Sequence, residues 1–405
     1  MRRAIVFLIA SMAAAGVAHS GETDARKILD TLRARHIPYG MVVDPVFAGP
    51  DSDEILSYSR CGDSAIWTGH LLAAESFRYG VTQSEDALTG VRYALDGIRK
   101  LIDVTGRNLL ARCAFPADSP YAADWISEER QHGFYGGRVD GRAWTWIGNT
   151  SRDQYLGVFF GLTAAWNAVD DPGVRGGVAS LATRLLGDLD DHGWAVVMPD
   201  GRVSTSFGAR VDQRLMLLKL GRRANRGEFE VRYRWAAPFL ATGVPAPIAF
   251  EVTEPHDSYF KFNLDHIVFY GLLTGEDSSW VEWNYRQGFD LLRRTTDDHD
   301  NAFFDVIELA LNGQASARDQ RSVGLLEEWL GRPRRDVGVD HRGEYDLCGQ
   351  DRTCAAIPVS QRVTTDFLWQ RSPFQIQGGG SGRIEGAGLD YLLPYWMGRF
   401  YGLPG

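Results

Sequence analysis

The sequence predicts an all-helical fold whose helices pair into hairpins and close on themselves, and three observations carry that prediction. Long apolar segments with little room for a wet face alternate with segments of one-sided apolar periodicity. The alternation recurs at irregular spacing, without the fixed period of an open repeat array, which is the competing α-solenoid reading. The first helix has no preceding partner and the last has no following one, so joining the chain ends completes a sixth pair.

The elements follow in order. Arg2, Arg3, the mostly apolar Ala4–Val17 and the small-x-small triplet Ala18-His19-Ser20 read as a signal peptide over 1–20. That stretch is short for a membrane span and runs directly into Gly21-Glu22-Thr23-Asp24; an uncleaved anchor is the alternative. The remainder, 21–405, reads as one domain, because closed helical assemblies often exceed the usual single-domain length. Thr23–Arg35 is the unpaired first helix. Asp63–Tyr79 is apolar on most sides, and 82–105 is amphipathic, with Leu88, Val91, Leu95, Ile98 and Ile102 at helical spacing and a capping-box pattern at Thr82 and Glu85. Residues 152–168 look buried and 172–190 amphipathic, with Pro172 suited to a first helical turn. Further pairs are 209–221 with 226–241, 257–273 with 278–295, and 300–312 with 316–331, and 388–402 is the last buried helix. Two interruptions, 106–148 and 332–386, are rich in Gly, Pro and aromatics and read as long loops or small β insertions of the kind that carry function.

Six hairpins of buried and amphipathic helices resemble the (α/α)6 toroid of the six-hairpin glycosidase-like superfamily. The resemblance covers nearly the whole chain after the signal and rests on layout, with no diagnostic motif. It implies a central bowl at which the buried helices present their polar residues.

Four cysteines in an exported chain permit two disulfides. Cys348 and Cys354 flank a short polar loop and pair with each other among the three possible connectivities, which leaves Cys61 with Cys113. No CxxC spacing points to a metal, and no zinc-protease, EF-hand, P-loop, nucleophile-elbow or dinucleotide motif occurs, so neither a metal nor a cofactor is expected. A net charge of -9 without any lysine- or arginine-rich block argues against nucleic acid and against an anionic membrane surface as partner. With 12 Trp, 15 Tyr and 20 Phe, the chain has aromatic surface to spare for a ligand.

Candidate site residues come from three helix starts and one insertion. Asp63, Trp67 and His70 fall at i, i+4 and i+7 after Arg60, on one face of an otherwise apolar helix. Trp144, Trp146, Asn149, Thr150, Ser151, Arg152, Asp153, Gln154 and Tyr155 form the densest run of sugar-compatible residues, with indoles as platforms and polar groups as donors and acceptors for hydroxyls. His256, Asp257, Tyr259 and Asn263 begin the stripe that continues to His266 and Tyr270, and Trp369 and Arg371 lie in the second interruption. For each residue alone, an ordinary cap or a hydrogen-bonded core position is the bland alternative. The acidic run Asp297-Asp298-His299-Asp300 is read as a solvated loop.

The expected function is a periplasmic or secreted carbohydrate-active enzyme acting on an oligo- or polysaccharide, most simply an inverting glycoside hydrolase. Asp63, Asp153, Asp257, His256 and Tyr259 are the catalytic candidates. Arg60, Trp67, His70, Trp144, Trp146, Asn149, Arg152, Tyr155, Asn263, Trp369 and Arg371 are the substrate-binding ones. Asp153 as acid with Asp63 or Asp257 as base is one assignment of the carboxylates. A polysaccharide lyase using Tyr259 or His256 on uronates is the close alternative, and a non-catalytic glycan-binding protein is the third.

Overall fold

A computed structural model describes residues 20–256, 259–349, 352–363 and 366–404. The expected signal peptide lies outside the described residues, apart from Ser20. The fold is predominantly helical with a few small antiparallel sheets. Among the described residues no helix is long and apolar enough to cross a membrane.

The chain opens with α1 (Ser20–Arg35) and a hairpin of β1 (Asp44–Phe47) and β2 (Ile55–Ser59), and a short turn over Cys61–Asp63 leads into α2 (Ser64–Thr82) and α3 (Glu85–Asp103). The expected Thr82 cap is corrected. Thr82 ends α2, Gln83 takes a left-handed conformation that separates the two helices, and the Ser84 side chain accepts the Ala87 amide to start α3. The first insertion holds β3 (Cys113–Pro116), α4 (Ala122–Glu128), β4 (Phe134–Val139) and β5 (Arg142–Ile147), joined in the order β3-β5-β4. Next come α5 (Arg152–Ala168) and α6 (Pro172–Asp191), the latter capped by Asp171 with proline in its first turn.

A second hairpin, β6 (Ala195–Val197) and β7 (Val203–Ser206), precedes α7 (Val211–Ala224), α8 (Arg226–Leu240) and the short α9 (Pro245–Glu251). Then follow α10 (Tyr259–Leu273), α11 (Ser279–Thr296), α12 (Ala302–Asn312) and α13 (Ser316–Leu330). The second insertion contains β8 (Arg335–Asp340), β9 (Leu347–Gly349), β10 (Arg352–Thr353) and β11 (Gln377–Glu385), and α14 (Leu389–Phe400) ends the chain. Neither β1–β2 nor β6–β7 was expected from sequence. The former is stabilised from far along the chain, because β11 pairs with β1 at Val46↔Ile384 in the sheet β2-β1-β11-β8.

Packing order follows burial. Helix α2 packs on α5 and α14, α14 on α12, α12 on α10, α10 on α7, and α7 on α5. The amphipathic helices cover this set, α3 on α2, α6 on α5 and α7, α8 on α7, α11 on α10, α13 on α12, and α1 on α14. The closest approach is between α2 and α5, where backbone meets backbone. A Cβ on Gly69 would stand 2.1 Å from the Gly157 carbonyl oxygen, and one on Gly161 would stand 2.2 Å from that of Gly69. Glycine is therefore required for the two helices to lie this close, and their starts are side by side as a result.

Aromatic side chains fill the space between the buried helices. Phe367, from the second insertion, stacks on Trp67 at 5.2 Å and meets His70 and Phe303 at 5.1 and 5.5 Å, while Phe160 meets Tyr270 at 5.4 Å. Both expected disulfides are present, Cys61–Cys113 and Cys348–Cys354. The first joins the start of α2 to β3 within a small satellite core of Val43, Tyr58, Phe115, Trp125 and Ile147.

Candidate functional site

The starts of α2 and α5 bring acidic groups together. Asp63 precedes α2 but its side chain does not cap the helix. Its Oδ1 instead accepts from Gln154 Nε2 at 3.1 Å and lies 3.5 Å from the Arg112 guanidinium. The same Gln154 nitrogen lies 3.4 Å from Oδ2 of Asp153, and its Oε1 accepts the Ile66 amide at 3.1 Å. One buried amide thus ties α2 to α5 and bridges two carboxylates.

Arg112, adjoining the disulfide, holds the same corner from behind. It donates to the Gly62 carbonyl at 2.8 Å, to the Asn149 carbonyl at 3.1 Å and to the Ser151 hydroxyl at 2.8 Å. A third acid, Asp366, arrives from the second insertion, and its oxygens accept from Gln370 at 3.1 Å and Arg371 at 3.4 Å.

The Asp63 side chain is 42 % exposed, with protein packed densely around its remaining sides. Burial raises its pKa to about 6, the negative charges of Asp366 and Asp153 push in the same direction, and Arg112 and the Gln154 amide only partly oppose them. A carboxyl in this state gives up or takes a proton near neutrality, which an ordinary surface aspartate does not do. Arg60 stands behind the group, bonded to the buried Asp44 at 2.7 Å.

Beside Asp153 opens a cleft of about 520 Å³ between the starts of α5 and α7, the end of α9 and one face of α10. Arg152 and Asp153 form one wall, and Glu251, Phe260 and Lys261 line the other side. Arg210 belongs to the lining and is held by three carboxylates, Asp212 at 2.7 Å, Glu251 at 2.9 Å and Asp265 at 2.8 Å. Burial, followed by a hydrogen bond shared with Glu251, holds the Asp265 carboxyl well above the usual carboxylate range.

The remaining expected residues fall elsewhere. His256 and Tyr259 lie with His299: the His256 ring is 4.2 Å from Phe374 and 6.4 Å from His299, and Tyr259 lies 5.7 Å from both His299 and Phe304. No bond joins this pair to Asp63 or Asp153 among the described residues. Tyr259 is buried, which pushes its hydroxyl above the ordinary range and makes it a poorer base. Asp257 lies outside the described residues.

Several expected ligand contacts are core positions, because helix-to-helix packing and the Phe367 plug occupy the space a deeper bowl would need. His70 is fully buried, donates from Nδ1 to the Ile66 carbonyl, and burial lowers its pKa to about 4. Trp67, Tyr155, Asn263 and Trp369 are buried as well. The Tyr155 hydroxyl takes the Leu110 amide, and the Trp369 indole donates to the Asp390 carbonyl. Trp144 and Trp146 pack inside the first insertion, Trp144 edge-on to Tyr39 and Trp146 stacked on Tyr135 at 4.5 Å, and neither forms a platform. Asn149 is exposed in a left-handed turn before α5, and Arg371 is half exposed.

Arg112 and Asp366 were missed as site residues. Arg112 is the one charge in the apolar run Leu109–Phe115, and Asp366 abuts the aromatic Phe367-Leu368-Trp369; each had a local signal but no local reason to meet Asp63. For a metal, the carboxylates of Asp297, Asp305 and Glu308 come within 4.8 Å of one another. Arg293 already bonds all three, at 3.3, 2.8 and 2.8 Å, and fills the position an ion would take. Compared with protein-family models, curated proteins and solved structures, the chain matches none.

Proposed function

We propose that this chain is an exported glycoside hydrolase built as an (α/α)6 toroid, with Asp63 as proton donor and Asp153 as its ionised partner. The toroid reading is supported by the cyclic order in which α2, α5, α7, α10, α12 and α14 pack, with amphipathic helices outside them. Export to the periplasm or beyond is supported by two disulfides, which suit an oxidising compartment.

The observation that carries the enzymatic reading is the Asp63 carboxyl, raised to about 6 beside two further acids. Glycosidic cleavage needs one carboxylic acid to protonate the leaving oxygen and one carboxylate to supply or accept the attacking group. Asp63 keeps its proton into the mildly acidic range because burial disfavours its charge and the acids of Asp366 and Asp153 repel it. Asp153, on the cleft wall, is the partner a sugar can reach.

We read a retaining rather than an inverting stereochemistry. One oxygen each of Asp63 and Asp153 lies 3.1 and 3.4 Å from the same amide nitrogen, which favours a separation shorter than the roughly 6.5–9.5 Å that admits a water in inverting enzymes. Asp153 is accordingly assigned as nucleophile of a retaining double displacement. Asp63 protonates the departing oxygen as the Asp153–sugar bond forms, then takes a proton from the water that breaks that bond. Inversion would pass the base role to a more distant acid, for which Glu251 on the far side of the cleft is placed.

The test is a glycan panel assayed for new reducing ends and for the ultraviolet absorbance of unsaturated uronates, with wild type and Asp63→Asn. Reducing ends without absorbance, lost in the variant, are expected. Absorbance would transfer the protein to the lyases, and binding without either product would make it a glycan-binding protein.

A further inference from the structure

The cleft beside Asp153 holds two cationic side chains, Arg152 and Lys261, that no carboxylate pairs with among the described residues. Arg152 is half-buried in its wall, and the bond it makes is Nη1 to the Ser206 carbonyl at 2.9 Å. No carboxylate pairs with it among the described residues, whereas Arg210 in the same cleft is held by three. The carboxylates of Asp212, Asp153 and Glu251 act on Arg152 only from beyond bonding distance, and a half-buried guanidinium with no bonded anion gains when one arrives.

Lys261 lines the same cleft from α10 and likewise has no ion-pair partner among the described residues. Between them the cleft offers apolar and polar contacts of the kind a sugar ring needs. Phe250 and Phe260 are large apolar rings left 76 % and 42 % exposed, and the Gln213 Oε1 oxygen is buried without a partner.

We infer that this cleft is the subsite next to the reacting carboxylates and that it takes a sugar bearing an anionic group, which Arg152 and Lys261 neutralise. The anion is a carboxylate or a sulfate ester; both present coplanar or clustered oxygens to a guanidinium fork. Gln213 accepts from a ring hydroxyl, and Phe250 and Phe260 cover the apolar face. The assignment rests on the reading that Asp63 and Asp153 act on sugars.

The experiment is calorimetric titration of the full chain, carrying Asp63→Asn to prevent turnover, with oligogalacturonate, its methyl ester and a sulfated neutral oligosaccharide. The free acid or the sulfated glycan is expected to bind at least about tenfold more tightly than the uncharged ester, the size of a charge-assisted hydrogen bond. Arg152→Gln should abolish that preference, Arg152→Lys should restore part of it, and Lys261→Gln should weaken it and reduce its salt dependence. Which of the two anionic probes shows the preference identifies the source of the anion. Equal affinity for the charged and uncharged glycans, or a preference unchanged in Arg152→Gln, would overturn the inference and leave the hydrolase reading in place. Hydrolysis that persists undiminished in Asp63→Asn would instead remove that reading.

Discussion

The contact of α2 with α5 can be opened by a single methyl group. In Gly69→Ala the new Cβ would lie 2.1 Å from the Gly157 carbonyl oxygen, 2.4 Å from its carbon and 2.8 Å from the Val158 nitrogen, all of them backbone atoms that cannot swing aside. Restoring an ordinary contact requires the helices to part by about 1 Å, at an overpacking cost of roughly 1–3 kcal/mol or more. Alanine's better helix propensity returns about 1 kcal/mol, so a net loss near 2 kcal/mol is expected. The Gln154 bonds to Ile66 and Asp63 span this same seam at 3.1 Å each, and an opening of that size breaks both. Thermal melts should show Gly69→Ala unfolding several degrees early, and turnover measured where the variant is still folded should fall at least tenfold. Gly176→Ala is the control, since nothing lies within 4 Å of a Cβ there, and it should be neutral or slightly stabilising. A Gly69→Ala protein that melts and turns over like wild type would refute the claim that backbone contact sets the spacing of the two acids.

Removing Arg112 should do more than weaken the fold. Arg112→Gln deletes the one cation that opposes the rise of the Asp63 pKa, so the basic limb of the pH–rate profile should move upward, a shift that simple destabilisation would not produce. Replacing both Cys61 and Cys113 by serine removes a cross-link between residues 52 apart, worth about 4 kcal/mol on the loop-entropy account, and chemical denaturation of the double variant should show a loss of that order. Proton NMR of the first-formed product should show retention at the anomeric carbon; inversion would remove Asp153 as nucleophile.

The helices were legible where local pattern decides. Residues 152–168 were expected as one helix and α5 spans Arg152–Ala168, because an apolar run follows an extended Ser151 and meets no internal breaker. The pairing of α1 with α14 was legible because each lacked another partner, and Tyr391 reaches the Gly21 carbonyl across that contact at 3.4 Å. Local pattern failed at Thr82, where two capping residues stand two positions apart and only backbone geometry at Gln83 chooses between them. It failed also at His70 and Asn263, since a polar stripe on a buried helix looks the same whether it faces a bowl or an aromatic plug delivered by a distant insertion. Asp63 and Asp153 were found from their helix starts. Asp366 was not, because its approach to Asp63 depends on the path of residues about 300 positions later in the chain.

The central claim is that Asp63 is a proton donor with a raised pKa, and the most direct measurement is stability and turnover of wild type and Asp63→Asn across pH 4 to 8. A carboxyl raised from 3.8 to about 6 binds its proton more tightly in the folded than in the unfolded state. Its contribution to stability is therefore complete below the unfolded value and is lost as pH rises through about 6. The account predicts that wild-type turnover falls above that pH, and that Asp63→Asn, which cannot ionise, abolishes turnover while gaining stability relative to wild type as pH rises from about 4 to 6, a gain that then stays constant at higher pH. A variant that keeps its turnover, or one whose stability relative to wild type does not change with pH over this range, would contradict it.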